Sequence, residues 1–344
     1  MPESGASLVP PGDNSLRGLG EVRPSAGNGW TIKNVADGIT YYWYGANCPE
    51  TENKYQDVFI IDLDLSKTKY AVKLVYSNPS TTCSDVFAAT GAYAAINAGY
   101  EKASIALKAN GFWNKDASSL VYYPNGAVYS NMPNNYITDQ ETNEQIPNWK
   151  SEGTFYTDGL RNLKIAFDGY DPNTSTKTKT VQQERLFYQL CCDDWSGYVS
   201  SAPVLIHDFN PVGKNFKNLH PKTYSSSEDP NTHQRGQYPR TAVALTEGNH
   251  FLMVVCDGRY ATGYGGNGMS AQWLTVFLAK YFNPQYAINL DGGGSSTMCV
   301  RDSEFAADNY VVNYPCDNRG NSSKIHNHTG ERNRDSWIVI VDAQ

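Results

Sequence analysis

The segment from Tyr286 to Met298 limits the possible structure and function of this chain more than any other segment. A short apolar run ends with Asn289 and Asp291. A turn of three glycines comes next, Gly292 to Gly294, and it is followed by Ser295, Ser296 and Thr297. Glycine tolerates positive φ and lets a ligand approach the main chain, so we expect a sharp turn with exposed N–H groups. A strand end holds a carboxylate rigidly against a cleft. The pattern suits a substrate with an electrophilic carbon and anionic oxygens, and the alternative is a tight turn with solvated hydroxyls.

Six further motifs occur along residues 55–344. They are Ala95-Ile-Asn-Ala-Gly-Tyr100, Ser201-Ala-Pro-Val-Leu-Ile206, Tyr238-Pro-Arg-Thr-Ala242, Val254-Val-Cys-Asp-Gly-Arg259, Val312-Asn-Tyr-Pro-Cys-Asp317 and Gly330-Glu-Arg332. Together with the Asp-Gly-Gly-Gly segment they resemble, in order, the motif blocks of the phosphodiester glycosidase family. Ala98 and Tyr238 depart from the family, which has a glycine at the first position and commonly a histidine at the second.

The resemblance implies cleavage of a sugar-1-phosphodiester between the anomeric carbon and the phosphate oxygen. A phosphate monoester is already a good leaving group, so a strong general acid matters less than in ordinary glycosidases. Such a reaction needs a carboxylate at the anomeric carbon, as nucleophile or as base for water, and cations that hold the departing phosphate.

The motif blocks supply candidates for both roles. Asp291 and Glu331 are the predicted carboxylate pair, and Asp257 is the third candidate. The predicted phosphate ligands are Arg240, Arg259 and Arg332, because a guanidinium meets phosphate oxygens through two parallel hydrogen bonds. For each arginine the alternative is a structural salt bridge to one of these acidic residues.

A second group of motif residues is predicted to contact the sugar. Strand-end asparagines orient hydroxyl groups in such sites, although they also serve as simple turn caps. The predicted substrate-binding residues are Asn97, Asn289, Gly292, Gly293, Gly294, Ser295, Ser296 and Thr297.

No cofactor is expected from the sequence. His326 and His328 with Asp317 form the only combination considered for a metal, and their separation lacks a standard zinc pattern. The glycine-rich stretch 263–268 precedes a predicted helix and is either an anion site or a flexible connector. It matches neither the dinucleotide-binding nor the P-loop pattern, which disfavours a nucleotide.

The resemblance implies a carbohydrate or sugar-phosphate substrate, and composition argues against other classes of partner. The net charge is −7 and no basic run is present, which argues against nucleic acid. No stretch has the length of a membrane span. Residues 1–30 lack the apolar region of a secretory signal, and Met1 to Gly5 resembles an introduced start that replaces a removed leader, so we expect a secreted or cell-envelope protein. Seven cysteines without a CxxC pair argue against a zinc ribbon.

Strand patterns outnumber helix patterns. We predict an α+β protein with a mixed, mostly antiparallel sheet or barrel-like core and flanking helices, residues 1–35 as a tail and 36–344 as one catalytic domain. Residues 208–238 are predicted to be a long polar loop bordering the active cleft. The predicted strands are 58–65, 70–76, 94–97, 203–207, 241–245, 250–255 and 337–341, with hairpins near 120–129 and 163–167 and helices over 85–91, 181–192 and 270–282.

Two other function classes remain open at the sequence level. One is a glycosidase or lyase that cleaves a polysaccharide without phosphate, and Ala98 and Tyr238 at family-typical positions leave room for such a change. The other is a non-catalytic glycan-binding protein. Binding alone has no need for three motif carboxylates and three motif arginines, so the set favours an enzyme.

Overall fold

A computed structural model describes most of the chain. The described residues are 22–100, 107–111, 120–122, 136–138, 140–143, 145–147, 152–167, 195–215, 229, 234–319 and 322–343.

The described residues form mainly β-strands. The strands are β1 (Trp30–Ala36), β2 (Ile39–Cys48), β3 (Lys54–Asp64), β4 (Tyr70–Thr81), β5 (Ala94–Asn97), β6 (Leu107–Gly111), β7 (Leu120–Tyr122), β8 (Tyr136–Thr138), β9 (Gln145–Pro147), β10 (Gly153–Thr157), β11 (Leu163–Phe167), β12 (Gly197–Ser201), β13 (Val204–His207), β14 (Arg240–Leu245), β15 (His250–Cys256), β16 (Tyr286–Asn289), β17 (Met298–Val300) and β18 (Arg334–Asp342). The α-helices are α1 (Cys83–Thr90) and α2 (Ala271–Tyr281).

The first sheet is antiparallel throughout, in the order β1-β2-β3-β15-β14-β16-β13. Its centre sets the position of the site, because β14 pairs with β16 and places Ala242 opposite Asn289. The N–H of Leu290 then donates to the carbonyl of Thr241 at 2.7 Å. The start of β14, with Arg240, therefore lies beside the end of β16, with Asp291.

The second sheet has the order β11-β10-β12-β6-β4-β18-β5-β17, with β7 paired to β6. Among the described strand pairs of this sheet, the β4–β6 pair alone is parallel. The prediction of a mixed, mostly antiparallel sheet is confirmed. Among the described strands neither order closes on itself, so the barrel-like alternative is not confirmed.

The two sheets pack face to face around the largest apolar cluster. Ile61 and Met253 of the first sheet share this cluster with Val72 and Ile338 of the second. Successive side chains of a strand point to opposite faces. In β15 the odd-numbered residues from 251 enter this core and the even-numbered ones enter a second cluster on the outer face. This explains why β15 reads as an unbroken apolar run.

A helix covers the outer face of each sheet. Phe277 and Leu278 of α2 pack on Val254 of the first sheet, and Phe87 of α1 packs with Trp337 of the second. Each helix has a side-chain N-cap, since the hydroxyl of Ser270 accepts from Trp273 N at 3.1 Å and that of Thr82 accepts from Asp85 N at 3.2 Å. The predicted flanking helices 85–91 and 270–282 are thus present with shifted ends.

The last residues of the predicted tail belong to a strand in the structure, which corrects that part of the prediction. β1 begins inside residues 1–35, at Trp30, and forms the edge of the first sheet. Exposed and half-buried polar side chains obscure its period-two pattern, while Trp30 is buried against Phe277 at a ring distance of 5.7 Å. The predicted turn at 124–126, the helix 181–192 and most of the loop 208–238 lie outside the described residues. No helix in the described chain is long and apolar enough to cross a membrane.

Candidate active site

A cleft of about 380 Å³ opens where the end of β16 meets the start of β14. Asp291 and the arginines Arg240, Arg259 and Arg332 all line it. The backbone turn Gly292–Gly294 forms part of its wall. The structure therefore brings one predicted carboxylate together with all three predicted phosphate ligands.

The backbone around Asp291 is held by the neighbouring strand β5. Its N–H donates to the carbonyl of Ala98 at 3.0 Å, and its own carbonyl accepts from Asn97 Nδ2 at 2.7 Å. Its Oδ1 accepts from the N–H of Gly292 at 2.9 Å. With 16% of the side chain exposed, the carboxylate has a fixed direction and retains access to the cleft.

Arg334, which sequence reasoning missed, is the nearest cation to this carboxylate. Its Nε lies 3.4 Å from Asp291 Oδ2 and donates to Ser295 Oγ at 2.6 Å. Burial raises the pKa of Asp291, and the charge of Arg334 is the strongest opposing influence. Arg334 is two residues beyond Arg332, at the start of β18, and this spacing along an extended segment was the available signal.

The three glycines are required by close approaches rather than by exposed N–H groups. Gly293 has φ of +66°, and a Cβ on Gly294 would lie 2.1 Å from Arg332 Nη2. The N–H of Gly293 donates to the carbonyl of Pro239 at 2.9 Å, as that of Gly292 does to Asp291. Our expectation of exposed N–H groups therefore fails for Gly292 and Gly293, whose donors stabilise the turn.

Arg240 is buried at the back of the cleft, with 5% exposure. Its Nε donates to Met269 O at 2.9 Å and its Nη2 to Gly236 O at 2.8 Å. Burial lowers the pKa of this guanidinium to about 10, so it stays charged at neutral pH. The ring of Tyr238 lies 5.7 Å from the Arg240 guanidinium and 5.1 Å from that of Arg259. These cation–π contacts hold the two cations at the same wall.

Arg332 makes the salt bridge that we considered as the structural alternative, although its partner is Asp317 rather than a predicted catalytic residue. The pair is bidentate, with Nε to Oδ2 at 2.6 Å and Nη2 to Oδ1 at 2.9 Å. The guanidinium retains 38% side-chain exposure at the cleft. Asp317 thus orients Arg332 without enclosing it.

Glu331 lies elsewhere in the structure. Its Oε2 accepts from Ser84 N at 2.9 Å and its Oε1 from Ser84 Oγ at 2.5 Å, at the first turn of α1. It is not among the described residues that line the cleft, in contrast to our prediction. Burial raises the pKa of its carboxyl, and the hydrogen bonds from Ser84 oppose the shift. A helix N-terminus is a favourable place for a carboxylate.

Asp257, the third predicted carboxylate, is 1% exposed and faces the interior. Its Oδ1 accepts from Asn313 Nδ2 at 2.8 Å and its Oδ2 from Tyr314 N at 2.7 Å. Burial, and then the charge of nearby Asp57, raise its pKa well above the ordinary value. Asp257 is not among the described residues that line the cleft. Its hydrogen bonds instead fix the segment 313–314.

Three of the eight predicted sugar ligands form a buried network beneath the cleft, whereas Asn289 and the three glycines line it. Asn97 Oδ1 accepts from Thr241 Oγ1 at 2.8 Å and from Thr297 N at 3.3 Å, while Thr241 Oγ1 also bonds Ser296 Oγ at 3.2 Å. Asn97, Ser296 and Thr297 are at most 1% exposed. Asn289 does line the cleft, with its Nδ2 donating to Ala202 O at 3.0 Å.

Tyr100 is a further cleft residue that the sequence did not single out. Its hydroxyl donates to Ala202 O at 2.8 Å, and burial raises its pKa, so the phenol stays protonated. Tyr100 is the last residue of the block that begins at Ala95, and this position in a motif was the sequence signal that could have identified it. Aromatic rings beside a cleft suit the faces of a sugar.

The combination considered for a metal does not assemble. His326 and His328 stack on Tyr314, at ring distances of 3.6 and 4.4 Å, whereas Asp317 pairs with Arg332. The 263–268 stretch is also engaged, because Gly266 N donates to Asp57 Oδ2 at 2.9 Å and Asn267 O accepts from Arg259 N at 3.3 Å. It acts as a bonded support for Arg259, which is neither of the alternatives that we considered.

A solved structure shares this fold. The catalytic domain of zebrafish N-acetylglucosamine-1-phosphodiester alpha-N-acetylglucosaminidase, auto-inhibited by its pro-peptide, superposes with a TM-score of 0.55 at 15% identity, over 94% of this chain and 92% of that one. A hypothetical protein from Synechocystis gives a TM-score of 0.48 at 12% identity, over 93% of this chain and 64% of that one. A protein of Burkholderia pseudomallei K96243 that is named as exported gives a TM-score of 0.49 at 13% identity, over 91% of this chain and 96% of that one.

No curated protein matches the chain in sequence. The model of the phosphodiester glycosidase family matches residues 90–330. This range contains the cleft residues Arg240, Arg259 and Asp291. The matched segment and the fold define a glycosidase-type hydrolase. The chain belongs to the phosphodiester glycosidase family, as the ordered motifs predict.

Proposed function

We propose that the protein hydrolyses the sugar C1–O bond of sugar-1-phosphodiesters of the N-acetylglucosamine-1-phosphate type, or of phosphodiester-linked glycans. The observation that carries the proposal is the joint lining of one cleft by Asp291, Arg240, Arg259 and Arg332. A carboxylate beside several guanidinium groups matches a substrate with an electrophilic carbon next to an anionic leaving group.

Asp291 acts in this proposal as nucleophile or as base for water at the anomeric carbon. Because it alone of the three predicted carboxylates lines the cleft, the reaction relies on one carboxylate rather than on a pair. This agrees with the leaving group, since a phosphate monoester departs without a strong general acid. Arg334 favours the ionised form of Asp291 and so opposes the effect of burial on its pKa.

The arginines hold the departing phosphate in the same proposal. Arg240 and Arg259 are kept at one wall by Tyr238, and Arg332 is oriented by Asp317. Guanidinium groups fixed before the substrate arrives stabilise developing negative charge without reorganisation. Tyr100 and Asn289 face the sugar side of the cleft in this arrangement.

A second candidate is a glycosidase or lyase that cleaves a polysaccharide without phosphate. It is favoured by the internal partners of the arginines, because Arg240 donates to two backbone carbonyls and Arg332 is paired with Asp317. In that case the cations would stabilise the cleft walls instead of a phosphate. A non-catalytic glycan-binding protein is the third class.

The experiment compares three substrate types with the wild type and the Asp291→Asn variant. The substrates are an N-acetylglucosamine-1-phosphodiester such as UDP-N-acetylglucosamine, p-nitrophenyl glycosides and whole polysaccharides. We expect Asp291-dependent release of free sugar from the phosphodiester at the highest kcat/KM. Preferential cleavage of phosphate-free polysaccharide would support the second candidate, and binding without turnover would support the third.

Location outside the cytoplasm, either secreted or attached to the cell envelope, stays a prediction. Fractionation of the source cells with an antibody to the protein tests it, and recovery with cytoplasmic markers would contradict it.

A further inference from the structure

Cys83, Cys299 and Glu331 converge on one point behind the cleft. One ligand atom of each, the two Sγ atoms and a carboxylate oxygen, lies within 4.8 Å of the other two. Both thiols are 0% exposed, and Glu331 is half-buried. In the described chain this is the one group of three such side chains that meets.

The three residues come from distant parts of the chain. Cys83 is the first residue of α1, Cys299 is in β17, and Glu331 precedes β18. The Sγ of Cys83 also approaches Ala95 O at 3.5 Å and Thr297 O at 4.0 Å. A bond between these elements would therefore tie the helix to the sheet directly below the Asp291 turn.

The donor atoms select a particular class of cation. Two thiolates and one carboxylate suit Zn²⁺, whereas calcium and magnesium require oxygen ligands throughout. Zinc binds cysteine as the thiolate, and a divalent cation compensates the negative charge of two buried thiolates. The positive end of α1, which already binds the Glu331 carboxylate, offsets the remaining negative charge.

We propose that Cys83, Cys299 and Glu331 bind a structural Zn²⁺ ion. Binding exchanges the two thiol protons for the cation: both S–H bonds break, two Zn–S bonds form, the protons pass to solvent, and no electron is transferred. Glu331 supplies an oxygen ligand. Its half-exposed side admits the ion and a water molecule that completes a tetrahedron.

Such an ion would position the cleft as well as stabilise the fold. Glu331 is followed directly by Arg332, and Arg334 is three residues beyond it. Fixing Glu331 therefore limits the movement of two cations, one lining the cleft and one paired with Asp291. The inference does not depend on the proposed substrate, because the metal is measured without any reaction.

The test is the metal content of the full chain, purified with reductant and without chelator, then titrated with zinc. We expect about one zinc per chain, and we expect Cys83→Ser, Cys299→Ser and Glu331→Gln each to weaken zinc binding by about tenfold or more. Cys48→Ala is the matched control, because Cys48 is also a buried thiol beside a carboxylate, Glu50 at 3.2 Å. It should bind zinc as the wild type does.

Cobalt titration of the wild type keeps the proposal testable if a cysteine variant fails to fold. Co²⁺ bound at this site should give the intense thiolate-to-cobalt absorption of two sulfur ligands, and zinc should displace it. Chelation should also lower the melting temperature of the wild type and of Cys48→Ala. Reduced wild-type protein that binds neither ion would overturn the proposal, as would a Cys83–Cys299 disulfide in the protein as isolated from its source, since oxidation removes both sulfur ligands.

Discussion

Arg334 and Asp291 form the ion pair on which the site depends, with Nε 3.4 Å from Oδ2. The same Nε donates to Ser295 Oγ, so the guanidinium is anchored to the turn that follows the carboxylate. Burial favours the protonated acid, and the cation opposes it. The pair therefore sets the pH range in which Asp291 can act at the anomeric carbon.

Asp291→Asn should lower kcat/KM on the phosphodiester by about 10²- to 10⁴-fold or more, because the charge rather than the shape is required. Circular dichroism and the melting temperature should remain close to those of the wild type. Turnover within about tenfold of the wild type, a difference of only 1.4 kcal/mol in barrier, would remove Asp291 from the catalytic role.

Arg334→Met should shift the acid limb of the kcat/KM profile to higher pH. The reason is that loss of the cation raises the pKa of Asp291 further, and the carboxylate is then ionised only in more alkaline solution. Arg161→Met is the control, since Arg161 donates to Thr68 O and Tyr70 O, away from the cleft. An unchanged acid limb would contradict the positioning role of Arg334.

Arg240→Ala should cost about 1.5–3 kcal/mol of transition-state binding on phosphodiesters, the value of a charge-assisted hydrogen bond. Arg240→Lys should restore only part of the lost transition-state binding, because lysine lacks the planar guanidinium. The backbone contacts of Arg240 predict a loss of stability as well, so the substrate comparison is decisive. An equal loss on aryl glycosides without phosphate would mean that Arg240 only holds the fold.

Gly294→Ala should impair the cleft by displacing Arg332. The added Cβ would lie 2.1 Å from Arg332 Nη2 and 2.1 Å from Asp317 Oδ1, so their bidentate pair must open. We expect a lower kcat/KM and an overpacking cost of about 1–3 kcal/mol. Gly248→Ala is the control, because its Cβ would meet its nearest neighbours at 3.7 Å. Equal behaviour of the two variants would refute this account of Gly294.

His250 should make a small, pH-dependent contribution to stability. Its Nδ1 lies 2.7 Å from Asp62 Oδ1, and this hydrogen bond raises the pKa of His250. A raised folded-state pKa adds stability below the unfolded value, which is lost as pH rises through the folded value. With 40% side-chain exposure, the loss between about pH 5.5 and about pH 8.5 should stay below about 1 kcal/mol. His250→Gln should abolish this dependence in urea unfolding.

The parts of the fold that follow local rules were predictable. β15 is apolar on both faces and α2 begins at a capping serine, so periodicity and capping identified them. β1 was missed because Trp30 is the one fully buried residue of this strand, and its packing partner lies in α2, far away in sequence.

Side-chain direction at the site was not predictable in the same way. Motif neighbours suggested that Glu331 and Asp257 act with Asp291, but their directions depend on partners far away in sequence. Glu331 bonds Ser84, 247 positions earlier, and Asp257 bonds Asn313, 56 positions later. The three arginines were singled out because they lie in motif blocks and a guanidinium can meet phosphate oxygens through two hydrogen bonds. Their joint lining of one cleft with Asp291 is visible only in the structure.

Hydrolysis of an N-acetylglucosamine-1-phosphodiester in ¹⁸O-labelled water tests the central claim most directly. If Asp291 promotes attack at the anomeric carbon, the label appears in the released sugar and the phosphate monoester remains unlabelled. Mass spectrometry of both products, with Asp291→Asn as the blank, gives the answer. Label in the phosphate would mean cleavage of the P–O bond and would contradict the proposed reaction.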